Sequence, residues 1–344
     1  MVYQSLLRNL KNGAESVVVT RCGSGLVTRE LRGTDAWREE WKSPHVVAEE
    51  KETTIIERFM PKPRLIILGG GHIAVPLATI GSLLNFDVTV FDDRPSFANK
   101  ARFPAAREVI CDSFDKVMQR AAIRKCDAVA IVTRGHRHDQ NCLRAILEGE
   151  ISDFPDYLGM IGSTRRVAIV RRQMEDEGFD PEIVARLHSP IGLAINAVTP
   201  EEIALSIAAE IVKERQSAYR GDFSDMRLIE RLAGLEFEIE AGRNARAMDM
   251  NAAIVTILST EGSTPRRAGA KMAVFRDGSI VGSIGGGCAE ADVLRDARDV
   301  AANGGYIFKT VDMTGSAEED GMACGGAMNL LIEPVVISAE ISAP

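Results

Sequence analysis

Residues 64–93 read RLIILGGGHIAVPLATIGSLLNFDVTVFDD. The stretch opens on an apolar run, Leu65-Ile66-Ile67-Leu68, of the kind a parallel strand carries when both its faces are covered. Gly69, Gly70 and Gly71 follow, and then Ile73, Leu77, Ile80 and Leu84 recur at helical spacing. A second apolar run, Val88-Thr89-Val90-Phe91, ends on Asp92 and Asp93. Strand, glycine turn, helix, strand, acid is the order of the first βαβ unit of a dinucleotide-binding domain.

The spacing has a chemical reason. Gly69 permits the tight turn, Gly71 lets the backbone approach a pyrophosphate, and Ala74 allows the helix close to the strand, giving G-x-G-x-x-A. His72 follows the last glycine, where a helix N-terminus offers amides and positive dipole to phosphates. Asp92 stands where an acid takes ribose hydroxyls, which favours NAD(H) or a related nucleotide over NADP, whose 2′-phosphate would meet like charge. The competing reading is a βαβ unit that binds no nucleotide, since fold does not fix function. Leu65 to Phe86 contains no Asp, Glu, Lys or Arg and is long enough to span a bilayer. Three glycines, His72 and Pro76 inside it make a poor lipid-facing helix, and strand-turn-helix uses the same residues better.

With 344 residues, two domains are expected. A content of 45% hydrophobic and 26% charged residues is that of an ordinary globular protein. A net charge of −8 argues against a nucleic-acid or anionic-membrane binder. The first residues lack an apolar core followed by a cleavage site, so a cytoplasmic location is expected. Cysteines 22, 111, 126, 142, 288 and 324 form no C-x-x-C pair, which suggests reduced thiols.

The expected fold class is α/β: a doubly wound parallel-sheet Rossmann domain plus a smaller α+β glycine/cysteine domain. Residues 1–60 hold strands around Ser16–Val19 and Thr53–Ile56. Pro61 and Pro63 mark a boundary, and residues 61–219 form the Rossmann-like domain, with further strands at 108–111, 128–132 and 158–162. Ligands of such sheets sit beyond the strand C-termini, where Gly71, Asp92, Thr133, Gly135 and Gly162 fall. Thr199, Pro200 and Glu202 predict a capping box on the closing helix. Residues 220–249 read as a linker with a short helix at 226–235. Residues 250–338 read as strands 252–258, 271–276 and 279–284, a helix 288–303, and strands 306–311 and 328–336.

This last domain holds three glycine-rich stretches: EGSTPRR from Glu261, GSIGGGCAE from Gly282, and GMACGG from Gly321. Gly285, Gly286 and Gly287 follow a strand and open a helix, so they can form an anion-binding nest. Cys288 falls in the first turn, where the dipole favours thiolate, and Cys324 lies among glycines that leave it accessible. Arg266, Arg267 and Lys271 can add phosphate contacts. The bland alternative is that the glycines make turns and the thiols are inert.

These motifs, GSTPRRAGAKMAV, DGSIVGSIGGGCAEADVL and GMACGGAMNLLIEP, resemble the XdhC/CoxI family, accessory factors of xanthine dehydrogenase and related molybdenum hydroxylases. PRLIILGGGHIAVPLA, FDDRPSFANKARFP, TRGHRHDQNCL, YLGMIGSTRR and HSPIGLAINAVTPEEIALSIAAEI resemble the family's Rossmann half. The family usually carries its glycine–cysteine domain first; here it follows, and residues 1–60 resemble a degenerate remnant of it. The resemblance implies a maturation factor that binds molybdenum cofactor as cargo and assists its sulfuration and insertion into an apo-hydroxylase. A cysteine desulfurase and a homo-oligomer belong to that expectation. Cys288 and Cys324, as soft ligands, are the candidates for molybdenum or sulfur contact and are expected to line one site.

His136, His138 and Cys142 have a spacing that can hold a metal; as part of a loop after a strand, the histidines equally suit ligand contact or exposure. No Gly-x-Ser-x-Gly or His-Glu-x-x-His occurs, so those hydrolase signatures are absent. The cysteine spacings of an iron–sulfur redox enzyme are also absent, which argues against xanthine oxidation by the chain itself. The alternative function is an NAD(P)-dependent oxidoreductase acting on a small substrate, which rests on the glycine motif and Asp92.

Overall fold

The computed structural model describes residues 1–38, 40–149, 154–218, 225–240, 252–286, 288–313 and 325–335. The chain divides into two compact units, one of residues 63–219 and one that joins 1–62 to 220–344.

The unit built from both ends of the chain begins with helix α1 (Val2–Lys11) and strands β1 (Ser16–Gly23), β2 (Leu26–Arg32), β3 (His45–Ala48) and β4 (Glu52–Phe59). They form an antiparallel sheet in the order β2-β1-β4-β3. Helix α1 was not anticipated. Tyr3, Leu6 and Leu10 nevertheless lie three and four residues apart and are its buried face.

The Rossmann unit runs β5 (Arg64–Leu68), α2 (Ala74–Leu83), β6 (Asp87–Asp92), β7 (Glu108–Cys111), α3 (Val117–Ala121), β8 (Ala128–Ile131), α4 (His136–Leu147), β9 (Tyr157–Met160), α5 (Thr164–Asp176), α6 (Pro181–Ala185) and α7 (Pro200–Ala218). Its strands are all parallel in the order β7-β6-β5-β8-β9. Alternate residues of β5 point to opposite layers. Ile66 and Leu68 meet Val117, Leu143 and Val170 of α3, α4 and α5, while Leu65 and Ile67 meet Leu77 and Ile207 of α2 and α7. Burying each such side chain is worth about 1.5–3 kcal/mol, which is why β5 reads as an unbroken apolar run. The chain winds one way from β5 to β7 and then crosses to β8 and β9, so the crevice of a doubly wound sheet lies between β5 and β8. The stretch that raised the question of a bilayer is strand, turn and helix. Among the described residues no helix is long and apolar enough to cross a membrane.

The cap on α7 forms as the spacing predicts: Glu202 accepts from the Thr199 amide at 3.0 Å, and Thr199 Oγ1 accepts from the Glu202 amide at 3.2 Å.

The chain then returns to the unit of its N-terminal strands with α8 (Met226–Glu240), β10 (Ala252–Gly262), β11 (Lys271–Phe275), β12 (Ile280–Gly282), α9 (Cys288–Asn303), β13 (Ile307–Asp312) and β14 (Gly326–Pro334). The sheet order is β12-β11-β10-β14-β13, antiparallel throughout. Val293, Ala297 and Val300 of α9 cover one face. The other face meets the N-terminal sheet, through Leu258 and Leu331 against Cys22, Val27 and Ile55. Helices α1 and α8 complete that core, so Leu228, Ile229 and Leu232 belong to the folded unit and not to a bare connector.

Candidate functional site

Gly69 has φ +114, and a Cβ there would lie 2.5 Å from Val132 O and 2.8 Å from Thr133 Cα. Only glycine fits so close to the neighbouring strand. The Gly70 amide donates to Asp92 Oδ2 at 2.7 Å. At Gly71 a Cβ would meet nothing within 4 Å, so no protein contact requires glycine there. That open side is what an approaching pyrophosphate needs. His72 beside it is exposed, and Ala74 is fully buried.

Asp92, at the end of β6, is 1% exposed. Besides Gly70 it accepts from the Arg94 amide at 3.0 Å, from Arg94 Nε at 2.9 Å and from Arg94 Nη2 at 3.0 Å. The acid predicted to meet the ribose is therefore engaged within the protein. The Arg94 guanidinium carbon lies 3.6 Å from the Phe97 ring centroid. Arg102 Nε donates to Gly70 O at 3.0 Å, which ties residues 94–102 against the glycine turn. Asp93 pairs with Arg134, from beyond β8. Hydrogen bonds from Arg134, opposed by partial burial, hold the Asp93 carboxyl below its ordinary range.

Beyond β8, Thr133 Oγ1 donates to Asp139 Oδ1 at 2.5 Å, and Arg166 Nη2 lies 2.5 Å from Asp139 Oδ2. Burial pushes the Asp139 carboxyl up against the opposing pull of Thr133 and Arg166. Gly135 and Gly162 flank this group, half-buried, with no atom within 4 Å of a Cβ at Gly135. His136 is exposed and opens helix α4, so it is not in a loop as the sequence suggested. Cys142 is fully buried on that helix, its thiol pushed well above the usual value by burial, and His138 lies against the Phe114 ring. Among the described residues no three His, Cys, Asp or Glu side chains form a group that could hold a metal ion.

In the other unit the stretch from Glu261 meets the stretch from Gly282 and the described end of the third, Gly325 and Gly326. A Cβ at Gly285 would lie 2.6 Å from Pro265 Cβ, and one at Gly326 would lie 2.4 Å from Ser263 O. The predicted nest is filled from within. Glu290 Oε1, in the first turn of α9, accepts from the Gly286 amide at 2.9 Å, the Ile284 amide at 3.1 Å and Ser283 Oγ at 2.8 Å. Lys271 does not face a phosphate site: its Nζ lies 2.7 Å from Glu57 Oε1 and 2.7 Å from Thr256 Oγ1. Arg266 and Arg267 are exposed. Cys288 is the first residue of α9. Its side chain, Gly287 and Cys324 lie outside the described residues.

Comparison with known proteins places both halves. The family described as XdhC Rossmann domain matches residues 65–211, and the one described as XdhC and CoxI family matches residues 245–312. The chain belongs to the XdhC and CoxI family. In this XdhC-family chain the Rossmann half comes first. A Bacillus subtilis protein named as a probable subunit of xanthine dehydrogenase is 32% identical over 50% of this chain and 48% of its own. The Escherichia coli molybdenum cofactor insertion chaperone PaoD is 26% identical over 46% of this chain and 42% of its own. A solved structure described as a xanthine dehydrogenase from Bacillus halodurans is 30% identical, covers 61% of this chain and 62% of that chain, and has a TM-score of 0.48. The chain thus spans less than half the length of these curated relatives.

Sequence reasoning missed Arg94, Arg102, Asp139 and Glu290 as members of the XdhC-family turns. For Glu290 a signal existed: an acid just inside a helix that follows a glycine turn has the offset at which a side chain reaches back to free amides. For Arg94 the signal was weaker, a cation two residues after the acid.

Proposed function

We propose that this protein is an accessory factor for a molybdenum hydroxylase of the xanthine dehydrogenase type. In this reading it binds molybdenum cofactor as cargo, assists its sulfuration and insertion into the apo-enzyme, and does not oxidise xanthine itself. The observation that carries the reading is one chain joining an XdhC Rossmann domain to an XdhC and CoxI domain in which the Glu261 stretch packs against Gly285 on one side and Gly325–Gly326 on the other. Names such as molybdenum cofactor insertion chaperone, borne by a relative, agree with it. Cys324, before Gly325 in the sequence, and Cys288, after Gly287, are the proposed contacts to molybdenum or sulfur, because thiolates are soft ligands. Arg266 and Gly285–Gly287 would serve the anionic end of that cargo.

The Rossmann unit is proposed to bind NAD(H) or a related nucleotide. The open face of Gly71 and the start of α2 fit a pyrophosphate, with His72, Thr133, Gly135, His136 and Gly162 around the strand tips. A cysteine desulfurase as sulfur source, homo-oligomerisation and a cytoplasmic location complete the proposal.

The test is mass spectrometry of small molecules released by denaturing the full chain purified from a molybdenum-replete host. A phosphorylated pterin is expected, with less of it in Cys324→Ser and Cys288→Ser. No pterin in wild type defeats the cargo reading; full retention in both variants, with native circular dichroism, defeats the thiol roles. Asp139, a buried carboxyl with a raised pKa at the strand tips, favours the second reading of an NAD(P)-dependent oxidoreductase. Sustained oxidation of NAD(P)H with small carbonyl substrates would establish that reading instead.

A further inference from the structure

We propose that the nucleotide held by the Rossmann unit carries a phosphate on its adenosine ribose, as NADP(H) does, and that Arg94 is the residue that reads this phosphate. The inference rests on the nucleotide reading above and narrows it. It also reverses what an acid at position 92 leads one to expect.

A carboxylate has about four hydrogen-bond acceptor positions. Asp92 uses that number inside the protein, on the Gly70 amide and on the amide, Nε and Nη2 of Arg94. No position remains for ribose hydroxyls. The buried acid braces the glycine turn, and its charge is met by the guanidinium beside it, so the repulsion that normally excludes a 2′-phosphate is absent. The cation then takes the place at the end of β6 that the acid was predicted to hold.

Arg94 is suited to the task. A guanidinium has five N–H donors, and two of them face Asp92, leaving three for a ligand. Its plane is fixed by the pair of bonds to Asp92 and by the Phe97 ring 3.6 Å away. A second guanidinium stands near: Arg134, from beyond β8, pairs with Asp93, whose Oδ1 is also 3.8 Å from Arg94 Nε. Two arginines therefore share this rim, with Asp93 between them. A doubly charged phosphate ester forms charge-assisted bonds on both sides with such a rim, where an uncharged diol offers only neutral, weaker acceptors.

The test is isothermal titration of the full chain with NADP+ and with NAD+. NADP+ is expected to bind at least about tenfold more tightly, the effect of one charge-assisted contact. Arg94→Ala is expected to bring NADP+ down to the NAD+ affinity. Because that variant leaves Asp92 poorly compensated and can fail to fold, a second measurement uses wild type alone: 2′,5′-ADP should compete better than 5′-ADP. Binding of NAD+ as tight as that of NADP+ overturns the proposal and leaves the nucleotide reading standing. Binding of neither overturns both.

Discussion

Two glycines of one turn should respond to the same substitution in opposite ways. At Gly69 an alanine must adopt φ +114, and its Cβ would sit 2.5 Å from the backbone oxygen of Val132, one residue beyond β8. Strain of that backbone kind costs about 1–3 kcal/mol, and forcing atoms into a filled space adds about 1–3 kcal/mol. Gly69→Ala should therefore lose about 2–6 kcal/mol, a fall in Tm of roughly 4–24 °C for a unit of this size. Gly71 lies outside the left-handed region and its Cβ would touch nothing within 4 Å. Gly71→Ala should keep full stability or gain up to about 1 kcal/mol, because alanine restricts the unfolded chain. Its cost should fall on the ligand, since the methyl occupies the side from which a pyrophosphate approaches; nucleotide affinity should drop at least about tenfold. Urea denaturation and calorimetric titration of both variants check this. Unchanged nucleotide affinity in Gly71→Ala refutes the assignment of that face to a phosphate, and unchanged stability in Gly69→Ala refutes the geometry of the turn.

Three further outcomes are expected. Arg29 and Glu333 form an ion pair at 2.7 Å with side chains 2% and 4% exposed; Arg29→Met alone should cost about 3–5 kcal/mol in urea, while Arg29→Met with Glu333→Leu should recover most of it. Thr199→Ala removes half of the capping box on α7 and should cost about 1 kcal/mol by the same assay. Burial raises the folded-state pKa of Asp139, so its stabilising contribution is complete below the unfolded value and lost as pH rises through the folded one. Wild type should therefore lose stability relative to Asp139→Asn as pH rises above about 4, and the reverse trend would count against the burial assigned to that carboxyl.

The Rossmann unit was legible because each signal was local. Ile66 and Ile67 face opposite layers, so a strand buried on both sides needs no alternation, and the glycines between strand and helix fix the order of elements. Helix 288–303 was legible for a related reason: its apolar positions repeat against one face of one sheet. The N-terminal residues were harder because their partners are far away in sequence. Four of the seven residues of LVTRELR are polar, yet the Arg29 side chain within it is buried, held by Glu333 and by the carbonyls of Pro334 and Val335, some three hundred residues on. No window of sequence contains both halves of that interaction. Helix α8 shows the same problem: its charged residues made it look like a connector, while Leu228 and Leu232 find their apolar neighbours on α1 and β10. At the site, the glycines were identified by type, but what their amides bind was not, because that depends on the rotamers of Asp92 and Glu290.

Those two acids give the turns a common feature. In each unit a glycine turn that precedes a helix donates amides to a carboxylate of the chain itself, Gly70 to Asp92 and Ile284 with Gly286 to Glu290. A nest that attracts anions is thus stabilised by an internal one. For Glu290, burial pushes the carboxyl up, but the hydrogen bonds from Ser283, Gly286, Ile284 and Gly285 outweigh it and hold the pKa below its ordinary value. A depressed carboxylate contributes stability above its unfolded pKa of about 4.3 and loses it as pH falls through the folded value. Glu290→Gln should therefore be less stable than wild type at pH 7, with the difference closing below about pH 4. Ligand retention separates two roles for the same acid. If the nest also receives the phosphate of the cargo, Glu290 must first withdraw, and Glu290→Gln should retain more phosphorylated pterin per chain. If Glu290 only caps the helix, the variant should show the pH-dependent loss of stability with no gain in retention. A variant as stable as wild type across the whole pH range would remove the carboxylate from the nest altogether.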